Sequence, residues 1–169
     1  MEDRKKRTIV VLFTSYKDMV SDFIYYISGR GYAHASIALE ESPEYYYSFN
    51  GKGFRKEYPK RYKKRMRDKS ASFHLEVSEE SYQKIRERLK EMETHAEVYH
   101  YTRIGVIFCL FHIAWHRKHH YFCSEFVSEL LKLADDIQLQ KKSSLYLPQH
   151  LARELAELPC VKQIRLQAV

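Results

Sequence analysis

The stretch YFCSEFVSELLKLA, residues 121–134, decides the fold more than any other part of this chain. Its apolar residues recur at three- and four-residue spacing, which predicts an amphipathic helix over Cys123–Leu133 with Glu125 and Glu129 on its outer face. Cys123 then stands at the helix N-terminus, where unpaired N–H groups and the positive end of the helix dipole favour a thiolate. This position makes Cys123 a candidate nucleophile, with its own backbone amide as an oxyanion donor.

The remaining elements follow from hydrophobic periodicity, because alternating apolar residues favour strands and apolar residues three or four apart favour helices. The predicted strands lie at 8–15, 34–39, 45–49, 72–77, 96–101 and 161–166, and the predicted helices at 18–28, 78–92, 104–115 and 148–158. A turn at Ser42-Pro43 joins the second and third strands into a hairpin. These elements predict one α+β domain over residues 1–169, with a small, mostly antiparallel sheet and the Cys123 helix packed against it.

A thiol nucleophile also needs a base, and His34 is the best placed of the nine histidines because it begins an alternating strand. Its imidazole lies on the strand face opposite Ile37 and reaches the Cys123 sulfur if the helix packs across the hairpin. The second ring nitrogen then needs an orienting partner. Ser48 and Asn50 share a face of the partner strand, and either could serve, since the register is uncertain by about two residues.

Composition and pattern argue against several classes of protein. Hydrophobic residues make up 44% of the 169 residues, with only five Gly and four Pro, which argues against disorder. No signal-peptide pattern precedes the first strand, and the longest apolar run, at 104–115, is too short to span a membrane. We therefore expect a cytoplasmic protein without a transmembrane segment. Cys109 and Cys160 have no CxxC spacing and are expected to be buried, inert thiols.

Positive charge is concentrated in residues 55–69, where nine Lys or Arg stand against Glu57 and Asp68 and account for the whole net charge of +7. The segment has no clear period, so we expect a loop or a short irregular helix on the surface. With Tyr58 and Tyr62 among its cations, it could hold nucleic acid or anionic lipid. A solvated charged face is the simpler interpretation.

A cluster of histidines precedes the cysteine: His112, His116, His119 and His120. Histidines four residues apart could bind a metal ion. No Asp or Glu lies at a matching spacing in the sequence, so we interpret the cluster as a basic loop near the cysteine. Neither a metal nor a cofactor is expected.

Three segments together resemble the circularly permuted, NlpC-like papain-fold cysteine peptidases and amidases, which are related to the lecithin retinol acyltransferase group. The segments are TSYKDMVSDFIYYISGRGYAHASIALE at 14–40, YYSFNGKGF at 46–54, and YFCSEFVSELLKLA at 121–134 followed by LPQHL at 147–151. In ordinary papain-like enzymes the cysteine precedes the histidine. In the permuted group a strand-borne histidine comes first and a Cys-Ser-x-Phe-Val helix comes late, which is the order in this chain.

The resemblance implies a permuted papain-like fold in which Cys123 is the nucleophile, His34 is the base and Ser48 fills the third position. It also implies a cysteine hydrolase or acyltransferase that forms an acyl-enzyme with a peptide, lipid or small-molecule acyl substrate. The alternative is a catalytically weak or inactive binding module on the same fold, which would use residues 55–69 to hold nucleic acid or anionic lipid.

Overall fold

A computed structural model describes residues 5–16, 19–27, 29–62 and 70–167 of the chain. The strands are β1 (Lys6–Thr14), β2 (His34–Ala38), β3 (Tyr46–Asn50), β4 (Gly53–Glu57), β5 (Ser70–Ser78), β6 (His100–Tyr101), β7 (His120–Tyr121) and β8 (Val161–Gln167). The α-helices are α1 (Met19–Ile27), α2 (Pro59–Tyr62), α3 (Glu79–Thr94), α4 (Arg103–Leu110), α5 (Cys123–Leu131) and α6 (Pro148–Ala156). Short 3-10 turns lie at Ala96–Val98 and Ser143–Leu145.

Six strands form the main sheet in the order β4-β3-β2-β1-β5-β8, and each neighbouring pair is antiparallel. The two short strands β6 and β7 pair in parallel beside it. The predicted mixture of helices with a mostly antiparallel sheet is therefore confirmed. None of the helices among the described residues combines the length and the apolar composition that crossing a membrane requires.

The core lies on one face of the sheet, where alternate strand residues are buried beneath α3, α5 and α6. On β1 these residues are Ile9, Val11 and Phe13, which have no exposed surface. Phe126 of α5 packs its ring against Phe49 and Phe54, at centroid distances of 5.0 and 5.8 Å. Because aromatic rings bury large apolar areas, these contacts hold α5 against the β3–β4 hairpin.

The β3–β4 hairpin is a correction to the expectation that residues from 55 onward form a loop or irregular helix. Gly53 begins β4 with φ +87, and a side chain there would lie 2.5 Å from the backbone oxygen of Tyr99, so only glycine fits. Residues 53–57 then pair with β3 as a regular strand. The short helix α2 follows at Pro59–Tyr62, and residues 63–69 lie outside the described part of the chain.

The apolar run at 104–115 was predicted as one buried helix, and that prediction is wrong in length and burial. Helix α4 begins after Thr102, whose hydroxyl accepts a hydrogen bond from the Gly105 amide, and it ends at Leu110. Phe111 and Ile113 beyond it are 72% and 50% exposed. The predicted strand at 96–101 is likewise reduced to a 3-10 turn and the two residues of β6.

Glu125 was expected on the outer face of the Cys123 helix, and that expectation is also wrong. Its side chain is 1% exposed, because His116 from the preceding loop covers it. The other predicted strands and helices lie within a few residues of their predicted bounds. Helix α5 itself begins at Cys123, the residue at which the sequence pattern starts.

Candidate active site

Cys123 is the first residue of α5, and the residue before it leaves the helix start without a side-chain cap. Phe122 is in an extended conformation and makes no side-chain hydrogen bond to the first turn. Ser124 donates a hydrogen bond to the backbone oxygen of Tyr146 at 2.6 Å, which fixes the first turn to the segment before α6. The first-turn amides of α5 have no acceptor within the helix, and they lie at the helix end that carries the thiol.

His34 is the first residue of β2, and its ring interacts with the Cys123 side chain. The Nε2–H group of His34 donates a hydrogen bond to Oε2 of Glu57 at 2.7 Å. The Tyr16 ring flanks the imidazole at a centroid distance of 5.3 Å. His34 and Glu57 are both buried. The ring is thus held between a thiol and a carboxylate in a site that excludes most water.

Burial and charge act in opposite directions on this histidine. Burial by itself lowers the pKa of His34, but the Glu57 carboxylate and the Cys123 side chain outweigh it and raise that pKa well above its ordinary value. Burial likewise raises the pKa of Glu57, but His34 and Asn50 outweigh it and lower that pKa overall. Both directions favour an imidazolium paired with a carboxylate.

Ser48 and Asn50, the two predicted orienting residues, both lie at this site. The Ser48 hydroxyl donates to the backbone oxygen of Ala35 at 2.8 Å, and its oxygen lies 3.1 Å from Nε2 of His34, where it shares the single Nε2–H with Glu57. Asn50 acts one step further out, because its amide donates to Oε1 of Glu57 at 3.0 Å. Ser48 thus supports the ring, and Asn50 supports the carboxylate that holds the ring.

Glu57 is the residue that sequence reasoning missed, because it lies in the segment interpreted as a basic loop. The sequence did indicate a strand in this segment, because an Asn-Gly pair such as Asn50-Gly51 is typical of a two-residue hairpin turn between strands. The observed register pairs Ser48 with Arg55 and Tyr46 with Glu57. Paired residues share a face of an antiparallel sheet. Continuing the strand past the turn would therefore have brought Glu57 to the face of Ser48.

The other two cysteines have different surroundings. Cys109 and Cys160 are free, buried thiols. Burial raises the pKa of Cys109 to about 12, and burial also raises the pKa of Cys160. A thiol with a raised pKa is a poor source of thiolate. The arrangement of the three cysteines therefore favours Cys123, which lies against a histidine, as the nucleophile.

The basic segment 55–69 is described only in its first half, and there some of its cations are already engaged. Lys56 forms an ion pair with Glu93. The guanidinium of Arg61 lies over the Tyr58 ring, 4.4 Å from its centroid. Binding of nucleic acid or anionic lipid by this segment stays a prediction.

A cleft of about 480 Å³ lies away from Cys123, between α3 and the turn that joins β2 to β3. Tyr47 and Glu93 line it and hydrogen bond to each other at 3.1 Å. Neither Cys123 nor His34 lines this cleft. The candidate active site is therefore identified by its chemistry and not by the size of a cavity.

No protein-family model matches this sequence, and no curated protein matches it either.

Proposed function

We propose that this chain is a cysteine hydrolase or acyltransferase of the permuted papain-like type, with Cys123 as its nucleophile. One observation supports the proposal above all others. The thiol at the start of α5 lies against the His34 ring, whose Nε2 donates to the buried carboxylate of Glu57 at 2.7 Å. A nucleophile, a base and a group that orients the base are the parts that acyl transfer through a side chain requires.

The first step of the proposed mechanism is proton transfer from Cys123 to His34. Because Glu57 engages Nε2, the ring nitrogen left for the sulfur is Nδ1. The raised pKa of His34 favours the imidazolium, which in turn stabilises a neighbouring thiolate. Glu57 stays ionised throughout and holds the ring orientation.

Acylation follows when the Cys123 thiolate attacks the carbonyl carbon of the substrate. The S–C bond forms as the carbonyl electron pair moves to oxygen, and the first-turn amides of α5 stabilise this oxyanion. The oxyanion then collapses, the bond to the leaving group breaks, and the leaving group takes the proton from His34. The product is a thioester between Cys123 and the acyl group.

Deacylation reverses these roles. Water or another acceptor gives a proton to His34 and attacks the thioester carbonyl, and the Cys123 thiolate leaves. Water makes the protein a hydrolase, and an alcohol or amine acceptor makes it an acyltransferase. The substrate class, whether peptide, lipid ester or thioester, and a cytoplasmic location stay predictions.

The test is turnover of an ester, a thioester and a peptide amide by the wild type and three variants. We expect Cys123→Ala to abolish turnover and His34→Ala to lower it by about 100-fold or more. Cys109→Ala is the matched control and should keep the wild-type rate. Intact mass should show the acyl group on the wild-type protein and not on Cys123→Ala.

Unaltered turnover in both Cys123→Ala and His34→Ala would refute the proposal. Absence of turnover and of any acyl adduct, together with salt-sensitive binding of a polyanion, would instead favour the binding module.

A further inference from the structure

His116 joins two carboxylates of α5 in a cluster distinct from Cys123 and His34. Its Nδ1 lies 2.9 Å from Oε1 of Glu125. Glu129 follows four residues later on the helix, and positions four apart share one helix face. One donor atom from each of the three residues lies within 4.8 Å of the other two. The histidine cluster thus has the acidic partners that the sequence spacing did not reveal.

The cluster has a closed inner side and an open outer side. Glu125 is buried, whereas the His116 side chain is 40% exposed. The Tyr121 ring packs 5.4 Å from the His116 ring, and its phenol interacts with Glu129 and Arg88. A small ion could therefore reach the three donors from the solvent side while the protein fixes the inner one.

The cluster holds two carboxylates and one imidazole. Two cations lie near Glu129, and both have other partners. Arg88, which also faces Tyr121, pairs with Glu91 at 2.8 Å, and Lys132 donates a hydrogen bond to the backbone oxygen of Lys141. A further positive charge at the three donor atoms would stabilise this arrangement.

We propose that His116, Glu125 and Glu129 bind one divalent cation of the zinc class and so tie the loop before β7 to α5. One imidazole and two carboxylates suit a borderline cation such as Zn²⁺, with water completing the coordination. Zinc–ligand distances of about 2.0–2.2 Å require the donors to lie within about 4.4 Å of each other. The cluster needs only small side-chain movements to reach that spacing.

The expected effect is structural. When the cation binds, it replaces the hydrogen bond between His116 and Glu125. The loop over residues 112–119 is then fixed to the helix that carries Cys123. Cation binding at these three residues does not require Cys123 to be catalytically active.

The test is titration of chelator-treated protein with Zn²⁺ by calorimetry. The background is Cys123→Ala, since a thiol beside an imidazole is itself able to bind zinc. We expect one site, weakened by about 10-fold or more in Glu129→Gln and in His116→Asn. His112→Asn is the matched control, because His112 is an exposed neighbour with φ 57, which asparagine tolerates. Its affinity should stay within about twofold.

A second readout uses Co²⁺ and wild-type protein whose Cys123 has been alkylated. Visible absorption of the Co²⁺ complex should appear in this protein and be absent from its Glu129→Gln variant. Glu129→Gln changes a partly exposed side chain without changing its size, so it should fold. Absence of zinc binding would overturn the proposal. So would zinc binding of equal affinity in Glu129→Gln, His116→Asn and the parent.

Discussion

Two histidine–glutamate pairs lie beside the first turn of α5, and they differ in the direction in which the pKa of the carboxylate is shifted. Nε2 of His34 lies 2.7 Å from Glu57, and Nδ1 of His116 lies 2.9 Å from Glu125. Glu57 and Glu125 are both buried. Yet the pKa of Glu57 is lowered, whereas the pKa of Glu125 is raised to about 7.

The burial of the imidazole and the presence of a like charge explain the difference. Glu57 accepts from a buried imidazole and from the Asn50 amide. Glu125 accepts from a half-exposed imidazole and from the Phe122 backbone amide, and it lies near the like charge of Glu129. Two donors therefore do not offset the desolvation of a buried carboxylate when the imidazole is half-exposed and a second carboxylate is close. Glu57 is therefore suited to orient His34 as a carboxylate that stays ionised. Glu125 is suited to take up a proton or to bind a cation.

The largest expected difference between the two pairs is in the reactivity of Cys123. His34→Ala should slow alkylation of Cys123 near neutral pH by about 100-fold, because the thiolate loses its imidazolium partner. His116→Ala should change the rate by less than about threefold, since His116 contacts Glu125 and not the thiol. Peptide mass spectrometry after timed alkylation measures both rates. Equal slowing in the two variants would show that the two pairs do not differ in their effect on Cys123.

The second difference is in the pH dependence of stability. The folded pKa of Glu125, about 7, lies above its ordinary value of 4.5, so unfolding releases a proton between these values. Stability should therefore fall as the pH rises from about 4.5 to 7, by roughly 3 kcal/mol from this group, and then level off.

Glu125→Gln should remove that fall. Urea unfolding at several pH values, with a chelator present, measures it. A wild-type curve that coincides with the Glu125→Gln curve in shape would contradict the raised pKa of Glu125.

The contribution of Glu57 to stability should depend on pH in the opposite direction, and Glu57→Gln should reveal it. Removing the charged acceptor of His34 should lower the free energy of unfolding by about 2 kcal/mol near neutral pH. Because the pKa of Glu57 is lowered on folding, its stabilisation is present above its ordinary value and is lost as the pH falls through the folded value. The gap between wild type and Glu57→Gln should therefore close in acid. A gap that is constant down to acid pH would show that Glu57 acts through packing alone.

The smallest expected effect is that of Ser48→Ala. The hydroxyl adds one hydrogen bond to a ring that Glu57 already orients, so we expect a loss of about 1 kcal/mol in unfolding free energy. Alkylation of Cys123 should change by less than about threefold. A rate as low as that of His34→Ala would make Ser48, and not Glu57, the principal orienting residue.

Local patterns predicted the bounds of elements whose large apolar residues face the main core. Helix α5 and strand β2 carry such residues at regular spacing, and both were predicted near their bounds, although nearly all residues of both elements are buried. The prediction of one buried helix at 104–115 was wrong because an apolar run does not show which of its residues pack against another element. The prediction that Glu125 is exposed was wrong for the converse reason. His116, the loop residue that covers the Glu125 side chain, is not part of the helix pattern.

The candidate site depended on contacts between distant segments, which periodicity does not encode. Cys123 and His34 were paired from chain order and a family resemblance, and the structure brings their side chains together. Glu57 could be found only by recognising the strand after the Gly51-Lys52 turn, and a run of cations obscured that strand. In this segment the many cations predicted a surface loop, although the hydrogen bonds between β3 and β4 determine the observed strand.

The most direct test of the central claim is the rate of Cys123 alkylation near neutral pH in the wild type and in His34→Ala, with buried Cys109 of the same molecule as the internal reference for unfolding. If the His34–Glu57 pair activates Cys123, the wild-type thiol should react about 100-fold faster than the thiol of the variant, and Cys109 should react slowly in both proteins. Equal rates at Cys123 in the two proteins would contradict the account.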